Sequence, residues 1–114
     1  MAWFPMIKYL KDLFFGKIPY GAKRSSAWPK VRAEYLKTHY VCECCGGSKG
    51  IEIHHKRPFY LFPTLELDKE NLITLCEKRG CHLAMGHLYY YKSYNPNIET
   101  DIILWNKKVK ERPK

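Results

Sequence analysis

Ile51-Glu52-Ile53-His54-His55-Lys56-Arg57-Pro58 is the stretch on which the fold turns. Ile51 and Ile53 alternate with Glu52 and His54, the period of a half-buried β-strand. Pro58 cannot donate to a ladder and should end it. Successive side chains on a strand point to opposite faces, so His54 and His55 cannot do the same job while the strand stays regular. One imidazole is free to bind a metal while the other holds or takes a proton. An isolated His-His would read as a surface pair; its surroundings change that.

Upstream stands Cys42-Glu43-Cys44-Cys45-Gly46-Gly47, and downstream Cys76-Glu77-Lys78-Arg79-Gly80-Cys81. Cys42-x2-Cys45 with Cys76-x4-Cys81 is a four-thiolate pattern, and four soft ligands favour a tetrahedral structural zinc. Gly46 and Gly47 let the backbone turn back toward the sulfurs. Such a staple contributes folding energy outright. Cys44 is left over, since the x2 spacing selects Cys42 and Cys45. Five cysteines in close pairs fit metal ligation in a reducing compartment better than a secreted disulfide frame, so a cytoplasmic protein is expected.

The 114 residues are expected to form a single domain. A formal charge of +9 makes a polyanion, nucleic acid before an acidic membrane, the expected partner. Residues 1–23 read as an N-terminal helix and loop: Met6, Ile7, Leu10, Leu13 and Phe14 recur at helical spacing between Trp3 and Phe15, and Gly16 ends the run. A basic amphipathic helix can lie on a membrane, but packing on its own domain is the favoured reading. No stretch is long enough to span a bilayer. A second helix, capped by Ser25 or Ser26 and with Pro29 in its first turn, turns Trp28, Val31 and Tyr35 inward, with Leu36 at the edge and Arg32 snorkelling. Gly46 to Gly50 is a tight turn. Phe59 to Leu67 is an apolar loop, Leu72 to Leu75 a second short strand, and a helix carrying His82 and His87 should start near Cys81. Those two histidines are five apart, about 140° round an ideal helix. They can share one ion only if the turn is loosened or His82 precedes the first regular turn. Asn95-Pro96-Asn97 caps a last helix with Ile98, Ile102, Trp105 and Val109 on one face, and Lys110 to Lys114 reads as a frayed tail.

Val41 to Gly46 (VCECCG), Ile53 to Pro58 (IHHKRP) and Glu70 to His87 (ENLITLCEKRGCHLAMGH) together resemble the HNH endonucleases, the ββα-metal or His-Me finger nucleases, in their zinc-stapled four-cysteine branch. The resemblance covers roughly residues 24 to 88. It implies an α+β fold: a ββα-metal nuclease core over 24–88, with a C-terminal helix in 89–114 and a structural four-cysteine zinc site of Cys42, Cys45, Cys76 and Cys81. It further implies cleavage of phosphodiesters with one divalent metal (magnesium, manganese, nickel or zinc). Matched by position, His54 and His82 are metal ligands, His55 is the general base, and Asn71 orients that base. His87 is a further ligand that stands one residue out of the family's place.

The chemistry agrees. A neutral imidazole can take a proton from water near neutral pH. A divalent ion relieves charge at the phosphate. An uncharged asparagine can aim the base without changing the charge balance. Arg24, Lys56, Arg57, Lys78 and Arg79 are candidate phosphate contacts, which would give salt-sensitive, sequence-independent affinity. Double-stranded DNA is the substrate implied by the resemblance. A homodimer, or a phage or host protein as partner, stays open. The competing reading is a non-catalytic zinc module that docks on nucleic acid, in which the histidines only pack or hydrogen-bond.

Overall fold

The computed structural model describes residues 18–114. The helix expected over Trp3–Phe15 lies outside the described residues. In chain order the elements are helix α1 (Trp28–Thr38), strand β1 (Ile51–His55), strand β2 (Leu72–Cys76), a π turn (His82–Gly86) and helix α2 (Ile98–Lys110). Short 3₁₀ turns at Pro63–Leu65 and Lys69–Asn71 break up the connection between the strands. The result is the expected α+β arrangement: a two-stranded antiparallel sheet with helices and a cysteine cluster.

The strands pair with Ile51 opposite Cys76, Ile53 opposite Thr74, His54 opposite Ile73 and His55 opposite Leu72. Residues directly opposite share a face. Ile53, His55 and Leu72 therefore look one way, toward Trp28, Val31, Tyr35 and Leu36 of α1. Ile73 and Leu75 look the other way, with His54, toward the cysteines, Met85 and the buried Ile98 and Ile102 of α2. All five residues of β2 are buried, as expected of a strand covered on both faces. Each of Leu72, Leu75 and Ile98 removes a full side chain from water, a contribution of about 1.5–3 kcal/mol apiece.

Polar anchors fix α1 on this sheet. The buried Tyr35 hydroxyl donates to the Leu72 carbonyl at 3.0 Å. Thr74, with no exposed surface, donates through its hydroxyl to the His39 carbonyl at 2.6 Å. Arg32 keeps its head at the surface, 3.3 Å from the Glu52 carboxylate, in a pair worth little in water.

Three details differ from expectation. Neither serine caps α1: the N-cap is Ala27, and the Ser25 hydroxyl accepts from the Ala27 N–H at 3.1 Å. The serine thus builds the turn before the helix. Strand β2 runs one residue further than Leu75, so Cys76 leaves directly from the ladder. On α2, Ile98 and Ile102 are buried but Trp105 is 44% exposed, because the helix outruns the sheet that covers its first turns.

Candidate functional site

Two clusters of metal-type ligands occur among the described residues: Cys42, Cys45, Cys76 and Cys81, and His54, His82 and His87. Within each, the ligand atoms lie within 4.8 Å of one another. In the first, Cys45 Sγ and Cys76 Sγ are 3.6 Å apart, near the roughly 3.7 Å that sulfurs on one tetrahedral zinc adopt. The knuckle is wound for thiolates. The Cys45 N–H points at Cys42 Sγ and the Gly47 N–H at Cys45 Sγ, both at 3.4 Å. Gly46 sits at φ +78°, a left-handed conformation natural to glycine, which closes that turn. Burial pushes the thiols of Cys42 and Cys81 upward. Cys76 is also raised by burial, but the backbone N–H groups of Arg79 and Cys81 together with the neighbouring thiols of Cys81 and Cys45 outweigh this and bring it to about 7. Four thiols this close, three of them buried, cannot all ionise unaided, and a soft divalent cation resolves this by holding them as thiolates. The residues fit a structural zinc. Cys44 is buried beside the cluster and belongs to the core rather than to the ligand set.

The second cluster explains the awkward five-residue spacing. From His82 to Gly86 the chain winds as a π turn, bonded five residues apart instead of four. This is the loosened turn that His82 and His87 need. Their Nε2 atoms stand 3.1 Å apart, and His82 Nε2 lies 3.0 Å from His54 Nδ1. The three ring centroids are 4.7–4.9 Å from one another. Gly86 leaves the room: a Cβ there would meet three atoms of the His54 ring at 3.0–3.2 Å.

Hydrogen bonds fix the tautomers. His87 Nδ1 faces the Ser93 carbonyl at 2.8 Å, which can only accept, so Nδ1 carries the hydrogen. His82 Nδ1 is bonded in the same way to the Glu77 carboxylate. In the neutral rings both Nε2 atoms therefore present lone pairs to each other. His54 turns its Nδ1 toward the same point, and its buried Nε2 has no hydrogen-bond partner among the described residues, so no bond commits that ring to one tautomer. Burial, with the neighbouring rings His82, His87 and His55, lowers the His54 pKa to about 2, so it stays neutral. Converging imidazole nitrogens roughly 3–3.5 Å apart suit one divalent ion, given metal–nitrogen bonds of about 2.0–2.1 Å.

His55 points to the other face of β1, as strand alternation requires. Its ring rests on Trp28, centroids 4.6 Å apart, and its Nε2 donates to the Glu66 carbonyl at 2.9 Å. Nδ1 is thereby left as the basic nitrogen. Burial lowers the pKa of His55 to about 4, helped by Arg24 and opposed by the Glu66 carbonyl. Asn71 braces this corner. Its side-chain carbonyl accepts from the Arg57 N–H at 2.8 Å, and its amide donates to the carbonyls of Arg57 at 3.0 Å and Leu65 at 3.2 Å. It therefore ties the end of β1 to the residue preceding Glu66. The two faces meet in a cleft of about 270 Å³ lined by His55, His87, Arg24, Phe59, Tyr20 and Tyr91, among others.

The five basic candidates separate. Arg24 lines this cleft, its guanidinium 4.6 Å from the Phe59 ring centroid. Lys56 turns away, 2.8 Å from the Glu99 carboxylate and 3.1 Å from the Glu70 carbonyl, and with Arg57 it lines a different cavity beside the first turn of α2. Lys78 and Arg79 stand over the thiolates, lining a pocket with Cys45 and Cys76.

Two contributors escaped the sequence reading. Glu77 holds His82, and that bond keeps its carboxyl below the ordinary range. The unusually long Cys76–Cys81 gap was the available signal, because Glu77 sits within it. Glu66, buried, grips His55 through its carbonyl and the Ser25 N–H through its carboxylate at 3.0 Å. Nothing in the apolar stretch around it marked it out.

The family model of the HNH endonucleases matches residues 42–87. This segment is thus similar to an HNH endonuclease domain. The match runs from the first zinc-type cysteine to His87, the residue that follows the π turn, so both clusters lie inside it. No curated protein and no solved structure gives a significant match to the chain. No helix among the described residues is long and apolar enough to cross a membrane.

Proposed function

We propose that this protein is a divalent-metal-dependent endonuclease that hydrolyses DNA phosphodiester bonds. The observation that carries the reading is the pair of Nε2 lone pairs on His82 and His87, which Glu77 and Ser93 aim at each other beside His54. A module that only docked on nucleic acid would have no use for that arrangement. The HNH match supports the same class of chemistry.

In this reading His54, His82 and His87 hold the catalytic ion, and Cys42, Cys45, Cys76 and Cys81 hold a structural zinc. The catalytic ion, when bound, supplies charge relief at the scissile phosphate. His55 is the general base. It is neutral at physiological pH, its Nε2–H is tied to Glu66, and its Nδ1 is the atom that takes the proton of the attacking water. Asn71 is a positioning residue, which keeps the Leu65–Glu66 turn, and through it the imidazole, in place. Arg24, held over Phe59 and Trp28, offers a cation to the phosphate in the cleft.

The test is cleavage of supercoiled plasmid across a series of divalent metals, with His55→Ala alongside. Cutting should require added metal and fall at least about 10²-fold in the variant, the typical contribution of a general base, while zinc content and circular dichroism stay unchanged. Undiminished cutting by His55→Ala would remove the imidazole from the mechanism. Absence of cutting with every metal would leave the binding-module reading.

A further inference from the structure

Immediately after His87 come Leu88, Tyr89, Tyr90 and Tyr91, which are 53%, 76%, 62% and 48% exposed. Four large, partly apolar side chains in succession belong by default in a core. Here the backbone turns them out. Leu88 and Tyr89 both adopt left-handed conformations, φ +54° and +67°, which residues with bulky side chains rarely take. The Tyr89 N–H closes the turn on the Leu83 carbonyl at 2.8 Å, so the strained pair is built onto the π turn itself. Strain of this kind concentrates at functional positions.

Tyr91 lines the histidine cleft, its ring centroid 5.0 Å from that of His87. Across the cleft mouth the half-exposed Tyr20 donates its hydroxyl to the Tyr91 carbonyl at 3.3 Å and meets the Tyr60 ring edge-on at 5.0 Å. Lys92 Nζ lies 5.7 Å from the Tyr20 ring centroid. Neither Ile18–Ser25 nor Leu88–Asn97 contains an acidic residue, whereas both contain cations. The cleft proposed for the scissile phosphate is thus rimmed by the rings of Tyr20 and Tyr91, with Lys92 and Arg24 beside them. The carboxylate bonded to that rim is Glu77, which accepts from the Tyr91 hydroxyl at 3.3 Å and is already committed to His82. Tyr89 and Tyr90, more exposed still, precede Tyr91 directly in the chain.

Paired bases in a duplex show proteins only their edges, and their faces are covered by their neighbours. Unpaired bases expose their faces, and tyrosine rings beside a basic track are a general means of holding them. We propose that Tyr89 and Tyr90, with Tyr20 and Tyr91 at the cleft, form a stacking ledge that selects single-stranded DNA as the substrate class. This rests on the nuclease reading and departs from the duplex that the family resemblance implies.

The test separates binding from cutting. Full-length His55→Ala protein is titrated, by fluorescence anisotropy at fixed salt, into a 20-mer of thymidine and a 20-base-pair duplex. The single strand should bind at least about tenfold tighter, and adding Tyr89→Ala with Tyr90→Ala should remove about tenfold or more of that affinity, as loss of base stacking does. Duplex binding should move less than about twofold, and Tyr89→Phe with Tyr90→Phe should keep the affinity because the ring faces remain. Equal binding of strand and duplex, or an alanine pair without effect, overturns the ledge. The chain with His55 intact is then assayed for cutting of the same two DNAs. Tyrosine-dependent binding without any cutting would support the ledge while removing the nuclease reading.

Discussion

His82 Nε2 stands 3.1 Å from His87 Nε2, and in the neutral rings neither atom carries a hydrogen, because Glu77 and Ser93 hold the protons on the far side of each ring. Two acceptors this close need a cation between them or a proton shared by them. The arrangement makes Glu77 as important to the cluster as its ligands, since a carboxylate behind a ligating imidazole fixes its tautomer and raises its basicity.

Glu77→Ala should therefore weaken divalent-metal binding at the histidine cluster by about 10–100-fold, the usual cost of losing such a partner. Glu77→Gln, which still accepts from Nδ1–H but carries no charge, should fall between. Calorimetric titration with manganese or cobalt, on protein with its zinc retained, reads this directly. Wild-type affinity in Glu77→Ala would show that the carboxylate has no hold on the site.

Gly86→Ala is the steric counterpart. The added methyl would lie 3.0 Å from two atoms of a His54 ring that is 3% exposed and has nowhere to retreat. Overpacking of this kind costs about 1–3 kcal/mol. The variant should lose metal binding at the histidines while one zinc per chain remains on the thiolates. Atomic absorption, together with the cobalt titration, distinguishes the two sites.

Cys44 and Cys76 are both buried, but only Cys76 has its sulfur in the tetrad. Cys76→Ala should eliminate bound zinc and with it the folded state, since structural zinc contributes about 10 kcal/mol or more to domains of this kind. Cys44→Ala should keep one zinc and cost about 1 kcal/mol, as an ordinary core substitution does. Zinc content and the urea midpoint of the two variants check this; loss of zinc from Cys44→Ala would redraw the ligand set.

Acid should destabilise the protein partly through His55. Folded, its pKa is about 4, and unfolded it returns to about 6.5. Between those values the unfolded chain binds more protons than the folded one, so stability is fully present above pH 6.5 and declines as pH falls toward 4. The slope reaches at most about 1.4 kcal/mol per pH unit from this group. His54 acts in the same direction over a window extending to about 2. The urea midpoint of His55→Ala should accordingly decline less steeply between about pH 7 and 4.5 than that of the parent chain; parallel slopes would contradict the burial of this imidazole as the cause. The thiolates are common to both chains and cancel in the comparison.

Much of the frame was legible because its signals are local. The alternation in Ile51–His55 fixed a strand and sent His54 and His55 to opposite faces, and the structure has both. Cysteine spacing picked out the tetrad and set Cys44 aside. The histidine pair was legible only as a difficulty, since 3.6-residue winding separates residues 82 and 87 and nothing in Leu-Ala-Met-Gly announces a wider turn. The basic residues were the least legible. Where Lys56 points is decided by Glu99, 43 positions away on a helix whose docking no local pattern encodes. Trp105 fits an inward stripe by period, yet the sheet ends before reaching it.

The wide winding at His82–Gly86 also bears on how this stretch can vary in length. Four residues apart on an ordinary helix, two side chains stand about 40° apart and face one way. Five apart, they do so only if the extra residue is absorbed as a bulge. Removing one residue from Leu83–Met85 and reverting to regular winding are therefore compensating changes: either alone swings one imidazole out of the cluster, and both together restore it. Insertions and deletions here are tolerated only in step with the backbone's pitch.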